Sequence, residues 1–468
     1  MVSIHRFRIE QAFFKTQKEM DFMKIRENPR FMSIISILVI LVVSVFNFMD
    51  RSLLPPNYNL IMVEFSKTEP EVGLISTLFM ITAAICTVIF GFLNDRVNRK
   101  WLLFGGAIYY SVTSILVGYA PSYEFLMLFK ILTGIGIGVV LPVSYSIITD
   151  MFRTTARSRV FSVFGVALTL GGAFGTIISG NFGEAGNWRT PFILIGFINL
   201  AVAISVVFLK NPKRGAKEEI LEAKIQEGLE YSYKIQWKDL RYIYTRKSNF
   251  FLIINFIDNI PGGIIAAWAI TWLVEERGLP KDVASTLFLI ASAFSLAGSI
   301  VGGIIGDWWF KKDKRSRVGI SMFAMILEVP FLIAFVSVKF SFMGSPTISE
   351  VLGNSRFLIS IFMVGVFFFV DSLIGPNWYS TIMDVNLPEH RGTMLSVANL
   401  VDAVGAGIGP WIGGLLFRWL GSYQLAFIFA SVINIAGFIF WIPMFINIRK
   451  DIKNVEETLR ERIMATEN

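Results

Sequence analysis

Twelve runs of eighteen or more mostly apolar residues divide the chain, and that pattern leaves few folds open to it. They fall at about 31–64, 71–93, 101–120, 122–149, 159–182, 190–209, 249–274, 281–306, 318–338, 355–384, 391–418 and 423–447. Hydrocarbon holds no water to bond a bare N–H or C=O, so a segment of this length must close its hydrogen bonds within itself, as a helix. Only 17% of the 468 residues are charged, against about 25% in an average soluble domain, and the mean hydropathy is +0.60. An ordinary soluble enzyme is excluded; an all-α membrane protein with twelve transmembrane helices is expected.

The net charge of +8 would suggest nucleic acid as a partner in a soluble chain. Here the bases lie in the connections: the loops after even-numbered runs carry 22 Lys and Arg, and the intervening loops carry 7. Because basic residues near helix ends concentrate on the cytoplasmic side, both termini are expected in the cytoplasm, in a multi-pass protein of the plasma membrane, with no nucleic-acid partner. Residues 1–30 mix Arg, Lys, Glu and Phe without an apolar core and cleavage site, and are expected on the membrane surface. Cys86 lies within an apolar run and is expected to be an inert core thiol. The charged tail 448–468 is expected to be a solvated helical cap.

Three internal alignments indicate a duplication. Asn47-Phe48-Met49-Asp50-Arg51 returns as Asn255-Phe256-Ile257-Asp258-Asn259, at an offset of 208. The segment from Gly91 through Asp95 to Lys100 returns from Gly303 through Asp307 to Lys312, at 212. Pro142 to Asp150 returns as Pro376 to Asp384, at 234, and that register continues through Arg157/Arg391, Gly171/Gly405, Gly175/Gly409 and Gly180/Gly414. Six helices, an even number, bring both copies in from the same side as parallel halves. The expected organisation is a bundle at 31–209, a charged linker with an interfacial helix at 210–247, a bundle at 249–447 and the tail.

These residues resemble the major facilitator superfamily, whose hallmark between helices 2 and 3 is matched by Gly91 to Lys100. A narrower resemblance, to the spinster-like branch, rests on Asn47 to Arg51, on Pro212 to Glu218, and on Pro261-Gly262-Gly263 with Glu276-Arg277-Gly278-Leu279. The resemblance implies two pseudo-symmetric six-helix bundles and a secondary active transporter. It also implies a small organic or amphiphilic, lysolipid-like solute. The branch places an arginine in helix 4 and a glutamate seven residues later; this chain has Lys130 and Ile137, so coupling through that glutamate is not carried over.

A carrier that rocks between two states needs a breakable latch and a polar interior. The latch is expected at Gly91, Asp95, Arg96, Arg99, Lys100, Asp150, Arg157 and Asp307, where Gly91 lets helices approach and Asp95 pairs with a neighbouring base. The substrate and proton-coupling cavity is expected to involve Asn47, Asp50, Arg51, Lys130, Asp258, Asp371 and Asp402. An ionised side chain at the bilayer centre costs about 2.5–3.5 kcal/mol on insertion scales, so these acids are expected to share a wet chamber, pair with Arg51 or carry protons. Asp50 is the leading coupling residue, and helix 1 is expected to continue past Pro55-Pro56 so that Asp50 lies at depth. Glu328, beside Pro330, is expected to be structural.

No Gly-Lys dipeptide follows the glycine-rich stretches, so a P-loop is absent, and no cofactor is expected. The partners expected are a small-molecule or amphiphilic substrate, protons and the bilayer, with the chain working as a monomer. A sensor that has kept the carrier fold is an alternative. An intramembrane enzyme is disfavoured, because His5 and His390 are the only histidines and no nucleophile motif occurs.

Overall fold

The computed structural model describes residues 29–212 apart from 95, 153 and 210, and residues 247–467 apart from 343–345 and 347. Among the described residues there is no strand, and twelve helical spans are long and apolar enough to cross a membrane. In chain order they are α1 (Ser33–Phe65), α2 (Glu69–Asn94), α3 (Arg99–Gly118), α4 (Tyr123–Met151), α5 (Thr154–Glu184) and α6 (Thr190–Phe208). The second six are α7 (Lys247–Glu275), α8 (Lys281–Phe310), α9 (Ser316–Ser337), α10 (Ser355–Asp384), α11 (Pro388–Leu420) and α12 (Tyr423–Glu467). A short helix, Ile348–Gly353, precedes α10. Most of the surface segment expected at 1–30, and the linker helix expected within 213–246, lie outside the described residues.

Each set of six packs as a bundle, and the two bundles meet where α2 lies on α11 and α5 on α8. The aligned glycines account for both kinds of packing. Gly171 and Gly175 of α5 lie against the backbone of Val45 and Met49 on α1, and Gly405 and Gly409 of α11 lie against Phe256 and Gly263 on α7. The third member of each series crosses between bundles instead: Gly180 meets Lys281 and Ser285 of α8, and Gly414 meets Glu69 and Pro70 of α2. Lacking a Cβ, glycine lets backbones touch, which in lipid replaces the missing hydrophobic drive for association. The duplicated pairs Gly91 with Pro142 and Gly303 with Pro376 make matching contacts, at 3.8 and 3.7 Å from an added Cβ.

Three spans are interrupted at depth. α1 is helical to Arg51, then turns through a 3-10 segment, Pro55–Asn57, into Tyr58–Phe65. Pro55 and Pro56 have no N–H to donate, and Ser179 of α5 supplies a hydroxyl to the freed carbonyl of Leu53. Asn57 fixes the same corner by donating to Ser179 Oγ at 2.8 Å. Consequently Asp50 lies near the middle of α1, as the continuation past Pro55-Pro56 requires. α7 changes to 3-10 geometry over Asn255–Asn259, ahead of Pro261, so Asp258 also sits at a break. α10 is interrupted after Asp371, and Asn377 Nδ2 bonds the Leu373 carbonyl at 2.9 Å.

One apolar cluster at the end away from the chain termini spans both bundles, joining Leu53, Ile61 and Ile75 to Ile264, Trp268 and Leu416. Tyr58 and Trp268 pack across this junction with ring centroids 4.8 Å apart. Lys281 Nζ donates to Asn59 Oδ1 at 2.9 Å, and the Lys281 amide donates to Glu184 at 2.6 Å. Toward the terminal end the described core residues form separate clusters, one in the N-terminal bundle and two in the C-terminal bundle.

The tail departs from a wholly solvated cap. α12 runs without a break to Glu467, with Ile452 and Val455 buried on the C-terminal bundle. Asp451 accepts from the Ser248 amide at 3.0 Å, satisfying a free N–H at the start of α7. In the loop before α9, Asp313 accepts from the Arg315 amide at 2.8 Å and pairs with Arg449 of α12 at 3.0 Å. The Arg315 N–H, and after it Arg449, hold the Asp313 carboxyl below its ordinary range.

Overpacking a close contact costs about 1–3 kcal/mol, enough to shift a two-state equilibrium on the order of tenfold. Gly414→Leu is therefore expected to open the junction between bundles, so that a cysteine introduced as Ile264→Cys in a Cys86→Ser background reacts on the order of tenfold faster with an impermeant maleimide. Gly405→Leu, which acts within one bundle, is expected to lower the unfolding temperature instead. Unchanged labelling in Gly414→Leu would show that this contact does not hold the two bundles together.

Candidate functional site

The sequence DR at the end of the first helical stretch of α1 separates into two environments. Asp50 is fully buried and faces α3 and α4: its carboxylate pairs with Lys130 Nζ at 2.9 Å and accepts from the Ser114 hydroxyl. Lys130 Nζ also bonds the Asp50 carbonyl at 3.3 Å, which accepts from the Leu53 amide as well. The rings of Phe79 and Phe192, 4.5 and 5.0 Å from the ammonium, close the remaining sides. Lys130 is fully buried too, so the two charges are held in place of water. Removing one partner of such a pair costs about 3–5 kcal/mol, because the other is left buried and uncompensated.

Arg51, expected to hold Asp50, does not make that contact. Its guanidinium lies 4.7 Å from the Phe48 ring, and its Nε is buried without a hydrogen-bond partner. The physical reason is helical phase: adjacent residues diverge by about 100°, so both cannot face α4 in the same way. Asn47, one turn earlier on the Arg51 face, is fully buried with both amide atoms unpartnered. A cation and an amide with unused hydrogen-bonding capacity thus stand together on α1, beside an acid already neutralised by Lys130.

The central acids of the C-terminal bundle are held by different groups. Asp258 accepts from Asn259 Nδ2 at 2.9 Å and from Trp441 Nε1 of α12 at 3.1 Å. Asn259 Nδ2 also donates to Asp402 of α11, so one amide bridges two carboxylates. Asp371 of α10 lies within electrostatic reach of both. Like charges this close disfavour joint ionisation.

Near the terminal end, Arg99 is 2% exposed and spans from α3 to α4. It pairs with Asp150, bonds Ser146 Oγ at 3.1 Å, and reaches Asn211 Oδ1 at 3.1 Å and the Pro212 carbonyl. Asn98 starts α3 by accepting from the Lys100 amide at 3.1 Å. The second bundle repeats this arrangement with Arg317 of α9, which pairs with Asp384 and, at 2.6 Å, with Asp307. Arg317 was not evident in the sequence because the aligned basic pair there is Lys311-Lys312. The structure uses the base after the turn, and the signal for it was Asp384 standing where Asp150 stands. Arg96 and Lys100 instead lie over the rings of Phe92 and Trp101, at 4.1 and 5.6 Å. Asp95 and the Arg157 side chain lie outside the described residues.

These pairs join helices within a bundle rather than across the two bundles. Ser114 and Trp441, which hold Asp50 and Asp258, carry no motif and are identified only by the packing of distant helices; Asn259 lies in the repeated segment, but its bridge to Asp402 does not show there.

Residues 40–369 match the family model described as Major Facilitator Superfamily. A hexuronate transporter of Bacillus subtilis is 27% identical over 397 residues, covering 84% of this chain and 90% of that protein. A sphingosine-1-phosphate transporter of Danio rerio is 25% identical over 396 residues, covering 80% of this chain and 74% of that protein. Among solved structures, a bacterial homologue of the human lysosomal transporter spinster, inward-facing and unoccupied, superposes with a TM-score of 0.70 at 17% identity. The match covers 90% of this chain and 98% of that one. With duplicated six-helix bundles, the Gly91 to Lys100 segment and a family match over most of its length, the chain belongs to the Major Facilitator Superfamily, as a membrane transporter that resembles its spinster-like branch.

Proposed function

We propose that this protein moves a solute with an anionic head group across the plasma membrane by alternating access, with both termini cytoplasmic and transport coupled to protons. The observation that carries the reading is the contrast on α1: Lys130 is neutralised by Asp50, whereas Arg51 and Asn47 keep unused hydrogen-bonding atoms. A guanidinium suits carboxylate and phosphate because its fork matches their paired oxygens. The substrates named for the relatives, a hexuronate and sphingosine-1-phosphate, each bear such a group, one on a small polar molecule and the other on an amphiphile.

The acids support coupling by the same electrostatics. An anion entering beside Asp258, Asp371 and Asp402 is repelled while they are ionised and accepted once they carry protons, so substrate and proton favour each other. The junction at the end away from the termini, with separate cores toward the terminal end, supports a state closed to the outside and open toward the cytoplasm.

Thermal shift with glucuronate, a lysophosphatidic acid and a neutral sugar tests the head group. Ligand at 100 times its Kd stabilises by about 2.7 kcal/mol, and Arg51→Gln is expected to abolish the shift for whichever acid binds; an undiminished shift would reject Arg51 as the anion-holding group. In proteoliposomes, Asp50→Asn is expected to lose accumulation driven by a pH gradient while keeping downhill exchange. Asp50→Asn with Lys130→Met, which removes both buried charges, is expected to be more stable than either single variant. Wild-type accumulation in Asp50→Asn would remove Asp50 from coupling, and a thermal shift without flux would indicate a sensor.

A further inference from the structure

A further acid, separate from the groups used above, is buried in the seam between α9 and α12. Glu328 is 3% exposed and Asn434 1%. Asn434 Nδ2 donates to Glu328 Oε1, while Glu328 Oε2 and Asn434 Oδ1 have no hydrogen-bond partner. For an ionised glutamate both idle atoms are acceptors, and an acceptor buried without a donor costs free energy. A single proton on Oε2 removes both deficits, because a carboxylic acid donates where a carboxylate only accepts. The acid and the amide can then close a ring: N–H to Oε1 and O–H to Oδ1.

The charged surroundings are of one sign. The charged groups acting on Glu328 are Asp371 of α10 and Asp258 of α7, both acids. Asn434, Gly437 and Trp441 follow one face of α12: Asn434 holds Glu328, Gly437 lies against the Asp258 Cβ and the Met325 side chain, and Trp441 donates to Asp258. One helix face therefore touches both acids, and movement of α12 alters both together.

We propose that Glu328 holds a proton and closes a cyclic acid–amide pair with Asn434, forming a proton site behind Asp258 and Asp371. The inference deepens the proton-coupled reading and rests on it for the transport readout alone; the protonation state is measurable in purified protein without substrate. Ionising Glu328 places a negative charge next to Asp371 and Asp258 and leaves two acceptors bare, so the site loses its proton only when the α9–α12 seam changes.

Infrared spectroscopy of the purified protein in nanodiscs at pH 7 tests this. The carboxylic-acid C=O absorption of the wild type is expected to lose one component in Glu328→Gln and to keep that component in Asp50→Asn. Glu328→Gln preserves the ring as an amide–amide pair and is expected to unfold within about 2 °C of the wild type, whereas Glu328→Ala unfolds earlier. In proteoliposomes Glu328→Gln is expected to reduce the pH dependence of uptake several-fold. The proposal fails if the acid absorption is undiminished in Glu328→Gln, or if Glu328→Gln is as unstable as Glu328→Ala. It also fails if added sodium rather than pH governs the stability of the wild type, which would assign the idle oxygens to a metal cation. Absence of flux in every variant, with the infrared result intact, would reject the transport reading and leave the proton site standing.

Discussion

In hydrocarbon each polar group depends on another protein group, because water is not there to replace it. The Asp50–Lys130 pair meets that condition most completely in this structure: salt bridge, hydroxyl, carbonyl and two aromatic faces enclose two opposite charges. The break in α1 that follows Asp50 is itself tolerated because Ser179 donates to the Leu53 carbonyl and Asn57 ties the corner to Ser179. Discontinuous helices near the membrane midplane are where transporters of this kind build their sites. The breaks in α1 and α7 occur beside the aspartates that the duplication aligns.

The two halves are alike in packing and unlike in charge. Glycines at matched positions seat α5 on α1 and α11 on α7, then turn outward to join the bundles; Arg99–Asp150 is echoed by Arg317–Asp384. The N-terminal acid has a lysine, whereas the C-terminal acids have amides, an indole and one another. The α2–α11 and α5–α8 contacts, with Tyr58 on Trp268, join the bundles, while the Arg99 and Arg317 ion pairs lie within them.

Most of the architecture was legible before any coordinates. Apolar run length and offsets of 208, 212 and 234 reported the twelve spans, the duplication and the glycine seams, because these are set by periodicity and by the absence of a Cβ. The pairing within the site was not. Asp50 next to Arg51 reads as a pair in one dimension, yet the helix turns them apart and brings Lys130, eighty residues away, to the carboxylate. Likewise Lys311-Lys312 fits the repeat in register, but the turn before α9 places Arg317 against Asp384.

The sequence by itself determined what must cross the membrane, which segments are copies and where close backbone approach is possible; each is a local consequence of side-chain size and polarity. Only the tertiary structure decided which charge each acid meets, which amide bridges Asp258 and Asp402, and where Glu328 is left with an idle oxygen. Those outcomes depend on angles between helices far apart in the chain, and a contact of about 3 Å responds to rotations that no residue pattern encodes.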